Sequence, residues 1–111
     1  MPNAKIYIDH AVWTRHAEDI VALLPQFREL LCRELRVGPD ACQIVAVPVY
    51  GLGDQPHVNV ELHILPAPER TGAVLTALGE ALRRLLADVV TEKTAVRITT
   101  LDPQTYIALK S

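Results

Sequence analysis

Residues 1–9, MPNAKIYID, decide how the rest of the chain is arranged, because they predict a strand that begins at a proline. Ala4, Ile6 and Ile8 alternate with Lys, Tyr and Asp, the period-two pattern of a strand with one apolar face. Removal of Met1 would leave Pro2 with a free secondary amine. A free α-amino group has a reference pKa of about 7.7 to 8.0, and burial or a nearby cation favours its neutral form. Pro2 is therefore a candidate base at physiological pH.

The composition predicts a globular protein and excludes several classes of partner. The chain has 111 residues, 50% of them hydrophobic, with 11 basic and 13 acidic residues and a net charge of -2. This balance lacks the basic surplus of nucleic-acid binders. No apolar run reaches the roughly 20 residues of a membrane span, and the N-terminal residues lack the charged and apolar regions of a signal peptide. We expect a cytoplasmic protein without nucleic-acid or membrane partners.

The cysteines and histidines do not form a recognisable metal motif. Cys32 falls on a predicted helix and Cys42 on a predicted strand, without CxxC spacing, and the four histidines are scattered along the chain. The pattern predicts two reduced, packed thiols rather than a disulfide or a metal site. We expect no cofactor.

The first half of the chain predicts a long amphipathic helix after the first strand. Residues 9–14 are expected to form a connection, with Thr14 capping a helix that starts near Arg15. Apolar side chains then recur at three- and four-residue steps as far as residue 35, which is typical of one buried helix face. Pro25 is expected to kink or divide this helix, and Gly38-Pro39 to end it.

Strands and a second helix complete a repeated order. A second strand is predicted over about residues 42–49, and a third, with alternating polarity, over 58–65. Thr71 is a candidate cap for the second helix. A fourth strand is predicted over about 95–101, and residues 106–109 are expected to add a short terminal strand.

Two similar strand-helix-strand units, about residues 2–49 and 58–109, predict one domain over residues 1–111. Its fold class is α+β, a two-layer sandwich in which two β-α-β units form one four-stranded sheet with both helices on one face. The opposite face would mix charged side chains with Val45 and Val47. Because this face is too apolar in parts to be left in water, we expect oligomerisation over it.

These features together resemble the tautomerase superfamily in its two-unit form, over nearly the whole chain. The residues that carry the resemblance are Pro2, the alternating strand behind it, and two units of about 55 residues. The second half, from Val60–Ile64 through Thr94–Ile98, is similar to a subunit of 4-oxalocrotonate tautomerase (4-OT). Gly38-Pro39-Asp40 resembles a segment of macrophage migration inhibitory factor. Arg70-Thr71, before the second helix, is most similar to 5-carboxymethyl-2-hydroxymuconate isomerase.

The resemblance implies a homotrimeric isomerase of aromatic compound degradation, in which Pro2 moves a proton within a small carboxylate substrate. Arg70 is the candidate for substrate binding and polarisation, since a cation stabilises the charge that develops on a carbonyl oxygen and arginine holds carboxylates through paired hydrogen bonds. Arg97 and Arg15 are candidates for further substrate contacts. Tyr106 and Tyr50 are candidates to donate a hydrogen bond or to pack beside the proline.

Alternatives to these assignments remain open at the level of sequence. Arg97 could instead form a salt bridge with Glu61, and Gln43 occupies a position that carries arginine in short tautomerases, so that one cation is missing. Relatives in this superfamily also dehalogenate or decarboxylate their substrates. The same element order describes a ferredoxin-like dimeric module that binds small metabolites, or a catalytically silent protein of the tautomerase fold.

Overall fold

The structure is a computed structural model that describes residues 2–111; Met1, and with it the question of its removal, lies outside them. The elements alternate in the order predicted, with a short 3-10 helix, Pro39–Ala41, before the second strand. Their bounds are β1 Asn3–Asp9, α1 His10–Leu35, β2 Gln43–Val49, β3 Val58–Ile64, α2 Gly72–Ala87 and β4 Thr94–Thr100.

The four strands form one mixed sheet in the order β2-β1-β3-β4. β1 pairs parallel with β2, β3 pairs parallel with β4, and the two units join through the antiparallel pair β1–β3. The predicted α+β fold, with two β-α-β units in one sheet, is confirmed. In a ferredoxin-like sheet another strand separates the two strands of each unit, whereas here they are adjacent, so that alternative arrangement is wrong.

The period-two pattern of the central strands places the core on one face of the sheet. Ala4, Ile6 and Ile8 of β1 are buried, as are the alternate residues of β3. Both helices cover this face and contribute the remaining core side chains, namely Val12, Ile20, Leu23, Phe27, Leu31 and Leu35 from α1, and Leu78, Leu82 and Leu86 from α2. Burial of this apolar surface is the main stabilising contribution to the fold.

Helix α1 begins at His10, five residues before the expected start at Arg15. The expected connection over residues 9–14 is therefore wrong. Asp9, the last residue of β1, is the N-cap, and its Oδ1 accepts a hydrogen bond from the Ala11 amide at 3.0 Å. Thr14 lies inside the helix and its hydroxyl donates to the His10 carbonyl at 2.9 Å. A strong capping carboxylate at the strand end leaves no need for a linker.

The expected break at Pro25 is also wrong, because α1 continues through this residue. The only residue with non-helical dihedral angles inside α1 is His16, at φ -129° and ψ 15°, and two helical segments meet there at a kink. The helix ends at Leu35, before the predicted Gly38-Pro39, since Arg36 adopts the left-handed conformation at φ 56° and ψ 54°. Proline removes one backbone hydrogen bond from a helix, and the packing of the long apolar face outweighs that loss here.

The second unit follows the prediction until its final segment. Thr71 caps α2 as expected, since its hydroxyl accepts from the Val74 amide at 3.3 Å. Residues 106–111 form no strand; instead a turn follows β4, in which the Tyr106 amide donates to the Asp102 carbonyl at 2.9 Å. Ile107 and Leu109 are 78% and 93% exposed. Neither helix of residues 2–111 is long and apolar enough to cross a membrane.

Candidate functional site

Pro2 is buried immediately before β1. Its carbonyl accepts a hydrogen bond from the Gln43 amide at 3.0 Å. Extended by one residue, the β1–β3 register places Pro2 opposite Ile64, whose carbonyl accepts from the Leu101 amide at 2.7 Å. Pro2 therefore lies where β1 and β2 begin and where β3 and β4 end. We call this end of the sheet, where these strand ends lie, the proline end.

Arg70 lies at the proline end and joins two chain segments there. Its Nη1 donates to the Leu65 carbonyl at 2.7 Å and its Nη2 to the Leu35 carbonyl at 3.0 Å. The helix dipole disfavours a cation at the start of α2, where Arg70 stands in the sequence. Leu35, however, is the last residue of α1, and at this C-terminal end the dipole favours the Arg70 charge. The Nε atom is buried without a hydrogen-bond partner within residues 2–111. Its predicted contact with substrate stays a prediction.

Tyr106 and Arg97 occupy different parts of the second unit. Tyr106 follows the turn after β4, which places it at the proline end, and it is 39% exposed. Arg97 lies in the middle of β4 on the sheet face away from the helices, opposite Glu61 in the register. Its Nη1 donates to Asn59 Oδ1 at 3.1 Å, and within the described residues it forms no salt bridge to Glu61. Arg97 lines a shallow cleft of about 410 Å³ that also contains Glu61.

Arg15 lies at the opposite end of the strands, which we call the far end. The seven residues of β1 span roughly 23 Å between the proline end and the far end. Arg15 forms a salt bridge with Glu92, in the connection before β4. Burial acts to raise the pKa of Glu92, but hydrogen bonds from Arg15 and from its own backbone amide, together with the Arg15 charge, hold that pKa below its usual range. Within one chain, Arg15 and Pro2 do not share a site.

Tyr50, considered from the sequence as a neighbour of the proline, is also at the far end. Its ring stacks on His10, with 5.0 Å between centroids and 17° between planes. Tyr50 follows β2 and His10 follows β1, so the parallel pairing of these strands brings the two rings together. Of the two tyrosines considered, Tyr106 alone lies at the proline end.

The sheet face away from the helices is uncovered within one chain. Lys5, Glu61 and Arg97 form one row across three strands of this face, and Val45 completes the row on β2 with 46% of its surface exposed. Val47 is half-buried beside it. The mixed polar and apolar surface predicted from the sequence is therefore present.

The structure also brings together residues that the sequence did not connect. Arg28 of α1 and Lys5 of β1 line one groove of about 370 Å³ with Asn3 and Gln43. The periodicity of α1 placed Arg28 on its polar side, and that of β1 placed Lys5 on the open face of the sheet. Only the packing of α1 beside the edge strand β2 makes them neighbours, so no local signal could have found this groove.

Both cysteines are free thiols, as expected. Cys42 lies just before β2 in the same groove, and burial, with smaller contributions from neighbouring Cys32, raises its pKa to about 11. Such a thiol is protonated and unreactive at neutral pH. Within residues 2–111, no group of three or more His, Cys, Asp or Glu side chains is placed to hold a metal ion.

Comparison with known proteins gives a structural likeness without a sequence match. No family model matches the chain, and no curated protein is significantly similar to it in sequence. Many solved structures do match. A macrophage migration inhibitory factor-like protein from Entamoeba histolytica is similar with a TM-score of 0.65 and 14% identity, over 99% of this chain and 96% of its own.

Two further solved structures are similar over most of their length. N1, a member of the cis-3-chloroacrylic acid dehalogenase family, has a TM-score of 0.70 and 15% identity, over 96% of this chain and 79% of its own. R7 fused 4-OT, an asymmetric trimer, has a TM-score of 0.70 and 19% identity, over 96% of this chain and 91% of its own. These neighbours are tautomerase-superfamily proteins, and at such identities the likeness shows their fold.

Proposed function

We propose that this protein is a keto-enol tautomerase that moves a proton in an unsaturated oxo or hydroxy carboxylic acid, with Pro2 as the general base. Within this reaction class we place it nearest to 5-carboxymethyl-2-hydroxymuconate isomerase, on the Arg70-Thr71 pair before α2. The observation that carries the proposal is the position of Pro2, buried at the first residue before a central strand. Its neighbours in structure are tautomerase-superfamily enzymes and related proteins.

The proposed proton transfer needs one base and one stabilised oxygen. The neutral Pro2 nitrogen accepts the proton of the enol hydroxyl, the C–O bond becomes a carbonyl, and the protonated nitrogen returns a proton to the next carbon as the C=C bond becomes single. No electrons leave or enter the substrate. A base that titrates near the working pH is the most effective.

Arg70 and Tyr106 are the predicted partners that share the proline end with Pro2. Arg70 is held rigidly by its two carbonyl contacts, so we propose that it orders the segment from Leu65 to Arg70 beside the proline and stabilises negative charge on the substrate oxygen. Tyr106 is exposed enough to close over a substrate. The sharing of one end by these groups supports the assignment, and variants of each test it.

We further propose that the chain forms a homotrimer over the open face of its sheet. The exposed Val45 and half-buried Val47 give this face an apolar part, and R7 fused 4-OT is a trimer. Arg97 lies on this face and would reach a neighbouring chain's proline across the subunit boundary. Arg15, at the far end and paired with Glu92, would contact substrate only across such a boundary. Sedimentation velocity measures the assembly directly.

The test is the ketonisation rate of phenylenolpyruvate, a simple enol acid, with protein whose intact mass shows loss of Met1. Pro2→Ala should lower kcat/KM by about 10²- to 10⁴-fold, the usual contribution of a positioned base. Pro103→Ala, in the exposed turn after β4, is the matched control and should keep the wild-type rate. A wild-type rate equal to that of Pro2→Ala would overturn the proposal.

A catalytically silent protein of the same fold is the second candidate. It is favoured by one observation, that two carbonyls already occupy the terminal nitrogens of Arg70. The same assay distinguishes the two candidates, because a silent protein gives the uncatalysed rate both as wild type and as Pro2→Ala.

A further inference from the structure

The chain reverses between its two cysteines and returns the second to the helix that carries the first. Cys32 lies in the last turns of α1, and Cys42 lies between the 3-10 helix and β2. Arg36 adopts the left-handed conformation, and the Val37 amide donates to the Cys32 carbonyl at 3.1 Å, so the chain turns back directly after the helix. Both the 3-10 helix and β2 then pack on α1.

The position of Arg28 identifies the side of α1 that Cys42 meets. Arg28 and Cys32 are four residues apart in α1, so their side chains are neighbours on one face of the helix. Arg28 and Cys42 line the same groove beside β2. Burial is the main cause of the raised pKa of Cys42, and the charge of Cys32 and a side-chain hydrogen bond with it add to the effect. The two thiols are therefore neighbours in the folded chain.

The two thiols differ in their access to solvent. Cys42 is buried in the core with 4% of its surface exposed, whereas Cys32 is half-buried and packs against the core from its edge. Because α1 covers the sheet face opposite to the open one, the proposed trimer interface does not include Cys32. A dissolved oxidant meets Cys32 first, and Cys42 is the only other thiol in the chain. Redox-sensitive cysteines often have such a second thiol beside them.

We propose that Cys32 and Cys42 form a site of reversible oxidation, at which a low-molecular-weight disulfide such as oxidised glutathione converts the two thiols into one intramolecular disulfide. The Cys32 thiolate attacks one sulfur of oxidised glutathione, which forms a mixed disulfide and releases one glutathione thiolate. The Cys42 thiolate then attacks the Cys32 sulfur, which forms the protein disulfide and releases the second glutathione. Two protein thiols are oxidised and one glutathione disulfide is reduced to two thiols.

The protonation of Cys42 determines the order and the rate of these steps. Since Cys42 is a neutral thiol at neutral pH, it is a poor attacking group, and the second step is the slower one. The product joins the end of α1 to the residue before Gln43, whose amide donates to the Pro2 carbonyl at 3.0 Å. Oxidation therefore acts on the strand start that holds Pro2. The inference does not depend on the proposed tautomerase function.

The test equilibrates the folded protein with mixtures of oxidised and reduced glutathione, blocks the remaining thiols and maps the products by mass spectrometry. Trypsin places Cys32 in peptide 29–33 and Cys42 in peptide 37–70, so a disulfide between them joins two separate peptides. We expect these joined peptides from chains that run as monomers on a non-reducing denaturing gel. They should disappear again as the share of reduced glutathione rises.

Single substitutions test the order of attack. In Cys42→Ala, Cys32 should keep glutathione as a stable mixed disulfide. In Cys32→Ser, the buried Cys42 should react at least about 10-fold more slowly than Cys32 does in Cys42→Ala, because it is both protonated and inaccessible. Equal rates for the two variants would contradict the assignment of Cys32 as the attacking thiol.

Three results with wild type would overturn the site itself. The first is a mixed disulfide on Cys32 that never proceeds to the bond with Cys42. The second is a disulfide that links two chains in place of the two peptides of one chain. The third is that both thiols stay free in excess oxidised glutathione.

Discussion

The proline end and the far end of the sheet use their polar groups differently. At the far end, Arg15 is paired with Glu92, Asp9 caps α1, and Tyr50 stacks on His10. At the proline end, Arg70 binds backbone carbonyls, which carry no net charge, and Arg28 has no acidic partner within residues 2–111.

Because of this difference, neither Arg70 nor Arg28 is neutralised by a salt bridge within residues 2–111. A salt bridge already satisfies both of its ions, and a ligand must compete with the partner to use either one. A cation held by carbonyls is fixed in place yet keeps its charge. The proline end is therefore suited to an anionic ligand, while the polar groups of the far end contact one another and stabilise the fold.

The largest expected effect of a substitution on stability is at Arg70. Arg70→Gln removes two charged hydrogen bonds that join the end of α1 to the end of β3, and should lower the free energy of unfolding by about 2 to 4 kcal/mol. Arg84→Gln, at an exposed site on α2, should change it by only about 0.5 kcal/mol. Urea unfolding at pH 7 measures both. Equal stabilities, with KM raised in Arg70→Gln alone, would instead identify Arg70 as a substrate contact without a structural role.

Cys42 sharpens the comparison at high pH. Burial raises its pKa from the usual 9.0 to about 11, so the neutral thiol is favoured in the folded state. The stability that follows is fully present below about pH 9 and is lost as the pH rises through 11, an effect of roughly 2 to 3 kcal/mol. Between pH 8 and 11 the free energy of unfolding, measured with urea, should fall more steeply for wild type than for Cys42→Ala. Parallel curves would contradict the assignment.

The smallest effect is expected at the far end. Arg15→Gln should lower the free energy of unfolding by about 1 kcal/mol at pH 7, because the exposed arginine is paired with a largely buried carboxylate. The pKa of Glu92 is lowered in the folded state, so its contribution is present above about pH 4 and lost as the pH falls. The difference from wild type should therefore shrink in acid. Arg33→Gln, which breaks an exposed pair, should show little change at either pH.

The sequence predicted the sheet and its buried face because strand polarity is a local, period-two signal. Ile6 and Ile8 on β1, and Thr71 as the cap of α2, are read from neighbours within a few residues. The start of α1 was missed because Asp9 ends a strand and caps a helix at once. The terminal strand predicted over residues 106–109 is absent because the turn at Asp102 leaves residues 106–111 without a pairing partner among the described strands.

The candidate site was harder to predict because its contacts cross the chain. Arg70 was expected from its place before a helix, yet one of its partners is the carbonyl of Leu35, which belongs to the other unit. Arg15 was expected to contact the substrate, but it lies at the opposite end of the sheet from Arg70. Arg28 gave no signal at all, since its groove exists only after α1 packs beside β2.

The two edge strands, β2 and β4, differ in how well they can pair with a strand of another molecule. The Gln43 amide points to β1. Because backbone amides alternate in direction along a strand, residue 48 of β2 faces the open side of the sheet edge. Residue 48 is a proline without an N–H, so the row of outward-facing donors on β2 is incomplete there. The Leu101 amide points to β3, and the outward positions of β4 are all complete. Addition of β4 to the β2 edge of another molecule, which grows without limit unless the subunits close into a ring, meets this gap, whereas pairing of two β4 edges closes after one step.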